Sequence, residues 1–170
     1  MATNYVTQSM IGVDLNNSSA TALFAVGTHV LGTNGTEYVY VHAATSVSAL
    51  TMVAINTVSY TAGMASGTDL TAGSQFAFAQ GAISAQAYGW VALRGVGLTC
   101  ACTGSATAPT GVGIHIGSES SKTGTLCILG SASGTLAGVQ ITDATLSTST
   151  GVGYVTLNVT WPRPASTIAG

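Results

Sequence analysis

The sequence has very little charge, and this shortage excludes several classes of protein. Charged residues make up 5% of the chain, against roughly 25% in an ordinary soluble domain. The basic residues are Arg94, Lys122 and Arg163 alone. Three cations cannot form a patch that neutralises many phosphates, so we expect no nucleic-acid partner. So little charge also indicates a surface covered by neighbouring subunits, with a Ser- and Thr-coated soluble domain as the alternative.

Long apolar runs are also missing. No stretch of about 18 uninterrupted apolar residues occurs, so the sequence predicts no membrane span. The first ten residues, MATNYVTQSM, lack the basic and apolar regions of a signal peptide. The hydrophobic residues, 46% of the chain, are mainly Ala and Val, and they are joined by 22 glycines and many Ser and Thr. This composition favours strands over long helices.

Cysteine is scarce, and its spacing predicts no metal centre. The three cysteines are Cys100, Cys102 and Cys127. An odd number without a secretion signal predicts buried, reduced thiols. A metal site made from these three and His115 is conceivable, but it lacks the paired C-x₂-C spacing of common zinc sites. We therefore expect no metal and no cofactor.

Constellations of catalytic residues are missing as well. The acids are Asp14, Glu37, Asp69, Glu119 and Asp143, and the histidines are His29, His42 and His115. No two acids lie two or three positions apart, and each histidine lies within an apparent strand. No G-x-S-x-G, complete G-x-G-x-x-G or G-K-[ST] pattern occurs. The sequence therefore predicts no catalytic site and a protein that is not an enzyme.

What the sequence does contain is alternation of the kind found in strands. In LGTNGTEYVYVHA, the pair Asn34-Gly35 predicts a type I′ turn between two strands of a hairpin. In the second strand, Glu37, Val39 and Val41 share a core-like face. The opposite face carries Tyr38, Tyr40 and His42, and its polar-tipped rings suit a half-wet surface or a contact.

The rest of the chain continues this pattern. FAFAQ (76–80) and YGWVALRG (88–95) alternate, and short strand-like runs follow at roughly ten-residue spacing. We expect an all-β fold, an antiparallel sandwich or small barrel, in residues 21–161, with a second lobe from about residue 104 as an alternative. Residues 1–20 are expected to form an N-terminal arm. Pro162 and Pro164 should end the last strand and leave a tail at 162–170. No strong internal repeat is visible, and a short helix at 45–54 or 132–138 is an alternative to strand.

Two of these stretches carry a resemblance to a known family. LGTNGTEYVYVHA followed by FAFAQGAISAQAYGWVALRG resembles the head decoration, or capsid cement, proteins of tailed bacteriophages, over about residues 26–100. The resemblance implies a β-rich virion protein that binds the outer surface of the capsid, commonly as a homotrimer. Its partner would be the major capsid protein, and it would bridge capsomers against genome pressure. Tyr88 and Trp90 would then anchor the fold.

Two other functions are compatible with the same residues. One is a different phage structural component, such as a tail, fibre or minor head protein. The other is a carbohydrate-binding β module, in which Trp90, Tyr88 or Trp161 would stack on sugar rings. A decoration protein should bind emptied heads and ignore glycans, whereas a carbohydrate-binding module should do the reverse.

Overall fold

The protein is an all-β structure, as the sequence predicts. A computed structural model describes residues 14–32, 35–66, 69, 74–103, 114–116, 126–128, 135–142 and 152–164. The strands are β1 (His29–Leu31), β2 (Glu37–Ala43), β3 (Thr51–Ile55), β4 (Thr61–Met64), β5 (Gln75–Ala79), β6 (Tyr88–Thr103), β7 (Ile114–Ile116), β8 (Leu126–Ile128), β9 (Thr135–Ile141) and β10 (Val152–Pro164). No helix occurs in these residues, and hence none that could cross a membrane.

Five strands close into a barrel, so the barrel alternative is the one observed. Around the barrel the order is β2, β4, β3, β5 and β6, and β6 pairs back with β2. Only the pairing of β2 with β4 is parallel; the other four are antiparallel. Closing the sheet leaves few unpaired backbone groups at its edges. β1 lies outside the ring and pairs with the first residues of β2.

Small side chains fill the barrel. One buried cluster draws residues from all five barrel strands, which places it in the interior. It contains Val39, Val41, Ala43, Val47, Val53, Ile55, Ala62, Ala77, Ala79, Ile83, Ala87, Val91 and Leu93. A ring of five strands encloses little space, so Ala and Val fit where larger residues would not. Ala and Val accordingly account for ten of the thirteen residues in this cluster.

Gly89 shows how tightly this interior is packed. A Cβ at position 89 would lie 2.8 Å from Cδ1 of Ile83. The sequence places Gly89 between two aromatic residues, which predicts either a bulge or the close packing of a ring on bare backbone. The packing is present, but the side chain that approaches the glycine is aliphatic.

The large aromatic residues lie on the outer face of the same strands, and this face is also buried. Tyr38 is 1% and Tyr40 2% exposed, within a second cluster that also contains Leu15 and Leu157. Of the two alternatives for this face, the half-wet surface is therefore wrong for these tyrosines, which lie in contact with the rest of the cluster. Alternation along β2 separates the two faces correctly, but other parts of the chain cover the second one.

The predicted hairpin is formed by β1 and β2. Its register pairs Val30 with Tyr38 and Leu31 with Glu37. Gly35 has a φ of 76° and donates its N–H to the carbonyl of Gly32. A positive φ suits glycine in a tight turn. Asn34, the other half of the predicted turn pair, lies outside the described residues.

The later strands repeat the connectivity of the barrel. In the first ring β2 pairs with β4 in parallel, β4 with β3, β3 with β5, β5 with β6, and β6 with β2. In the second set β6 pairs with β8 in parallel, β8 with β7, β7 with β9, β9 with β10, and β10 with β6. The 16-residue strand β6 is therefore the last strand of one unit and the first of the next.

A short sequence match accompanies this repeated topology. The last barrel strand contains GWVAL at 89–93, and the last strand of the second unit contains GYVTL at 153–157. The ladder with β10 starts at Gly95 within β6. The second unit therefore begins inside a continuous strand, where no loop or change of composition marks a boundary.

Both predicted arms contribute residues to the fold. Leu15 is buried, and Ser19 forms a β-bridge with Tyr88. At the other end, β10 runs to Pro164 although its pairs with β6 end at Val159. The remaining residues pair with β9 alone, and a proline is tolerated where one side of a strand is unpaired. Residues 1–13 and 165–170 lie outside the described part.

Candidate functional site

The acids in the described residues have local partners, and they do not converge on one another. Asp69 accepts hydrogen bonds from the N–H and the hydroxyl of Ser66, at 2.7 and 2.8 Å. Asp14 accepts from the N–H of Asn16 at 2.9 Å. Among these residues no three His, Cys, Asp or Glu side chains are grouped to hold a metal ion. Glu119 and Asp143 lie outside the described residues.

The ladders of the second unit give the backbone register of three residues of the conceivable metal site. Cys127 is paired with both Thr103 and His115, and Cys102 is paired with Leu126. Cys100 is a fully buried thiol whose Sγ lies 3.5 Å from the carbonyl oxygen of Ala101.

Glu37 is the centre of a charged cluster at the start of β2. Its carboxylate accepts a hydrogen bond from Nε of Arg94 at 2.5 Å and lies 2.8 Å from Nδ1 of His29. The ladders bring these groups together, because Glu37 is paired with both Leu31 and Arg94. Burial raises the pKa of Glu37. The hydrogen bonds and charges of His29 and Arg94 together lower it by more, so the pKa lies below its ordinary value of 4.5.

This lowered pKa predicts a small loss of stability in acid. The folded protein binds fewer protons than the unfolded chain between the two pKa values of Glu37, so this stabilisation is present above pH 4.5 and is lost as the pH falls through the folded pKa. We expect Glu37→Gln to cost less than about 1 kcal/mol at neutral pH, because both partners are partly exposed.

Urea unfolding of the wild type and of Glu37→Gln at stepped pH measures this effect. The difference between them should shrink steadily below pH 4.5 and should also shrink in high salt at neutral pH. A difference that stays constant down to pH 3 would show that the carboxylate charge is not what stabilises the fold.

A second candidate site is a cavity of about 170 Å³ that is lined by both aromatic rings and polar residues. Its lining residues are Asp14, Asn17, Ser18, Ser19, Leu23, Phe24, Tyr40, Tyr88 and Trp90. We call it the aromatic pocket. The register pairs Tyr40 with Trp90, so the two rings lie side by side with centroids 4.9 Å apart.

Phe24 and Tyr88 complete the aromatic wall. Phe24 packs edge-on against Tyr40, with ring centroids 5.4 Å apart. Its ring is tilted against that of Trp90, with centroids 5.3 Å apart. Tyr88 stacks on Tyr40 at 6.1 Å and contacts His42 at 4.9 Å. The Tyr40 hydroxyl accepts a hydrogen bond from the N–H of Leu23 at 3.1 Å. These contacts hold the ring wall rigid and attach the segment before β1 to it.

The polar wall comes from residues 14–19. The side-chain amide of Asn17 donates to the Asp14 carboxylate at 2.5 Å, and backbone hydrogen bonds between Ser19 and Tyr88 hold the segment to β6. A side chain at Gly81 would collide with the Asn16 carbonyl, so the glycine allows this close approach. Residues 1–20 show no strand or helix pattern in the sequence. Nothing in that segment predicts that Asp14 and Asn17 would line a pocket together with Trp90.

The suggested stacking platforms are placed differently from expectation. Trp90 is 3% exposed and lies in the core. Tyr88 is half-buried at the pocket wall. The side chain of Trp161 lies outside the described part. A flat, exposed aromatic platform is therefore not found at position 88 or 90, and both residues serve the fold first.

Searches against protein-family models, curated proteins and solved structures gave no match to this chain.

Proposed function

We propose that this chain is a structural virion protein that binds the outer surface of a phage capsid and stabilises it by bridging capsomers. Its partners would be the major capsid protein and further copies of itself, as a homotrimer. The proposal rests on the resemblance of the two sequence stretches described above. It requires no catalytic site or cofactor.

The observation that carries the proposal is the pairing of those two stretches with each other. The β1–β2 hairpin and the YGWVALRG strand form one ladder, in which Tyr40 is paired with Trp90 and Val39 with Val91. Both aromatic residues are buried in the shared core. The two stretches that resemble decoration proteins thus contribute three of the five barrel strands, β2, β5 and the start of β6.

The surface near the charged cluster supports an apolar contact. Val96 is 68% exposed and Leu31 is 48% exposed. Both belong to strands that meet at Glu37, because this residue is paired with Leu31 and with Arg94, two positions before Val96. A contact based on such residues would depend little on salt, in agreement with the low charge of the chain.

Cosedimentation with emptied phage heads tests the proposal. We expect the wild type to pellet with heads in both low and high salt and Val96→Asp to pellet several-fold less. Val58→Asp is the matched control, since Val58 is 90% exposed in the turn after β3, at the opposite end of β2. A wild type that stays in the supernatant with heads of its own phage would overturn the proposal. Light scattering that shows a monomer in the presence and absence of heads would overturn the trimer.

A further inference from the structure

We infer that the aromatic pocket binds a single neutral sugar residue. This inference does not depend on the proposed virion role, because it rests on the pocket alone. The pocket lies between the outer face of the barrel and the segment 14–24. Neither the charged cluster at Glu37 nor the buried Cys100 lines it.

The size of the pocket limits the ligand. Its volume of about 170 Å³ is well below the roughly 300–1,000 Å³ of pockets for drug-sized molecules. One sugar ring is small enough to enter, whereas a nucleotide or an extended peptide is not. An oligosaccharide would bind through one residue only, with the rest of its chain in solvent.

The two walls match the two sides of a pyranose. Phe24 and Tyr88, which are partly exposed, supply apolar ring surface for the C–H groups of the sugar, and the buried Tyr40 and Trp90 support them from behind. The residues of the opposite wall, Asp14, Asn17 and Ser18, carry a carboxylate, an amide and a hydroxyl group. Asn17 brings both a donor and an acceptor, and Asp14 is an acceptor for sugar hydroxyls. Apolar rings facing a few fixed polar groups are typical of small-ligand sites.

The polar wall is already held in position. Asp14 accepts hydrogen bonds from the N–H of Asn16 and the side chain of Asn17, while Ser19 is bonded to Tyr88 through the backbone. These bonds fix the polar groups against the rings before any ligand arrives. Binding to a fixed site loses less conformational entropy than binding to a mobile one, which favours a small ligand with few contacts.

Charge excludes other ligands of similar size. Among the described residues that line the pocket, Asp14 is the only charged one, and no described cation contributes to it. A phosphate, sulfate or carboxylate group would therefore meet a carboxylate and gain no counter-charge. A quaternary ammonium ion is the competing ligand, because aromatic rings beside a carboxylate attract such cations. The amide and hydroxyl groups of Asn17 and Ser18 favour the sugar, since they would make no hydrogen bond to a methylated ammonium.

Titration by NMR tests the inference with defined probes. The probes are methyl glucoside, methyl mannoside, methyl galactoside, N-acetylglucosamine and, as the competing cation, choline. We expect at least one sugar to shift the indole N–H signal of Trp90, with a Kd of about 1 mM. Choline should leave that signal unchanged at the same concentration.

Three variants separate the pocket from the rest of the surface. Asn17→Ala should weaken sugar binding about three- to tenfold, as expected for the loss of one hydrogen bond. Asn16→Ala is the matched control, because this neighbouring asparagine does not line the pocket. Ser18→Phe should fill the pocket and abolish binding while leaving the carboxylate and amide in place. The thermal midpoint of each variant is compared with the wild type, so that unfolding is not mistaken for lost binding.

Several outcomes would overturn the inference. They are the absence of any shift at Trp90 with every sugar in the panel, stronger binding of choline than of any sugar, and equal affinities for Asn17→Ala and Asn16→Ala. Sugar binding that persists in a folded Ser18→Phe variant would place the ligand elsewhere on the surface.

Discussion

Replacing Trp90 with alanine should lower the free energy of unfolding by about 3–5 kcal/mol. The indole is 3% exposed and packs against Phe24 and Tyr40 with centroids 5.3 and 4.9 Å away. Its removal would leave a cavity between the barrel and the segment that covers it. A loss of this size is a large part of the roughly 5–15 kcal/mol that stabilises an ordinary domain.

Urea unfolding followed by circular dichroism measures this change, since the signal does not depend on the tryptophan that is removed. Val58→Ala is the control: its side chain is 90% exposed, and we expect a change within about 0.5 kcal/mol. Trp90→Phe should lower the free energy of unfolding less than Trp90→Ala does, because phenylalanine retains an aromatic ring at this position. If Trp90→Ala lowered the free energy of unfolding no more than Val58→Ala does, the packing of Trp90 against Phe24 and Tyr40 would not stabilise the fold.

Under the proposed virion role, phage heads that lack this protein should release their DNA at a lower temperature than heads that carry it. Each bound copy that spans two capsomers stabilises the closed shell, because binding favours the state to which the protein binds. Many copies multiply a weak individual contact. With three basic residues and a net charge of −2, the contacts should be mainly apolar, so the effect should persist in high salt.

The structure sets the truncations that make this experiment informative. Removing residues 2–18 would delete the buried Leu15 and the Asn16 carbonyl that packs on Gly81. Deletion of 2–13 or of 165–170 removes none of the residues named in these contacts and is the better choice. We expect each shortened protein to keep its circular dichroism spectrum but to protect heads less than the full chain does.

Thermal-release curves for heads with full-length, shortened or no protein give the comparison. Superimposable curves for all of them would remove the stabilising role. Protection that disappears in high salt would show that the few charges, among them the exposed Arg94, dominate the contact. Equal protection by shortened and full-length protein would place the bridging contact on the barrel itself.

The sequence alone determined the class of fold and most of its strands. Alternation over 37–43, 76–80 and 88–95 predicted β2, β5 and the start of β6, because a period of two leaves a direct mark on residue order. The same pattern separated Val39 and Val41 from Tyr38 and Tyr40. The composition also agrees with the narrow barrel, because ten of the thirteen residues in its interior cluster are Ala or Val.

Whether the second face of β2 is wet or dry was decided by the tertiary structure. Tyr38 and Tyr40 look amphipathic in sequence, but Leu15, Phe24 and Leu157 come from distant parts of the chain to cover them. No local pattern records such a contact. For the same reason the pattern-poor segment 14–19 gave no sign of its place beside Trp90, and the aromatic pocket was not foreseen.

The repeat of the barrel connectivity also became visible only in three dimensions. GWVAL at 89–93 and GYVTL at 153–157 are too short to mark a repeat in a chain made largely of Gly, Ala, Val and Thr. Strand pairing depends on backbone hydrogen bonds, which many different side chains permit. The same connectivity can therefore occur in two units whose sequences hardly match. Because both units share strand β6, no linker marks the boundary between them.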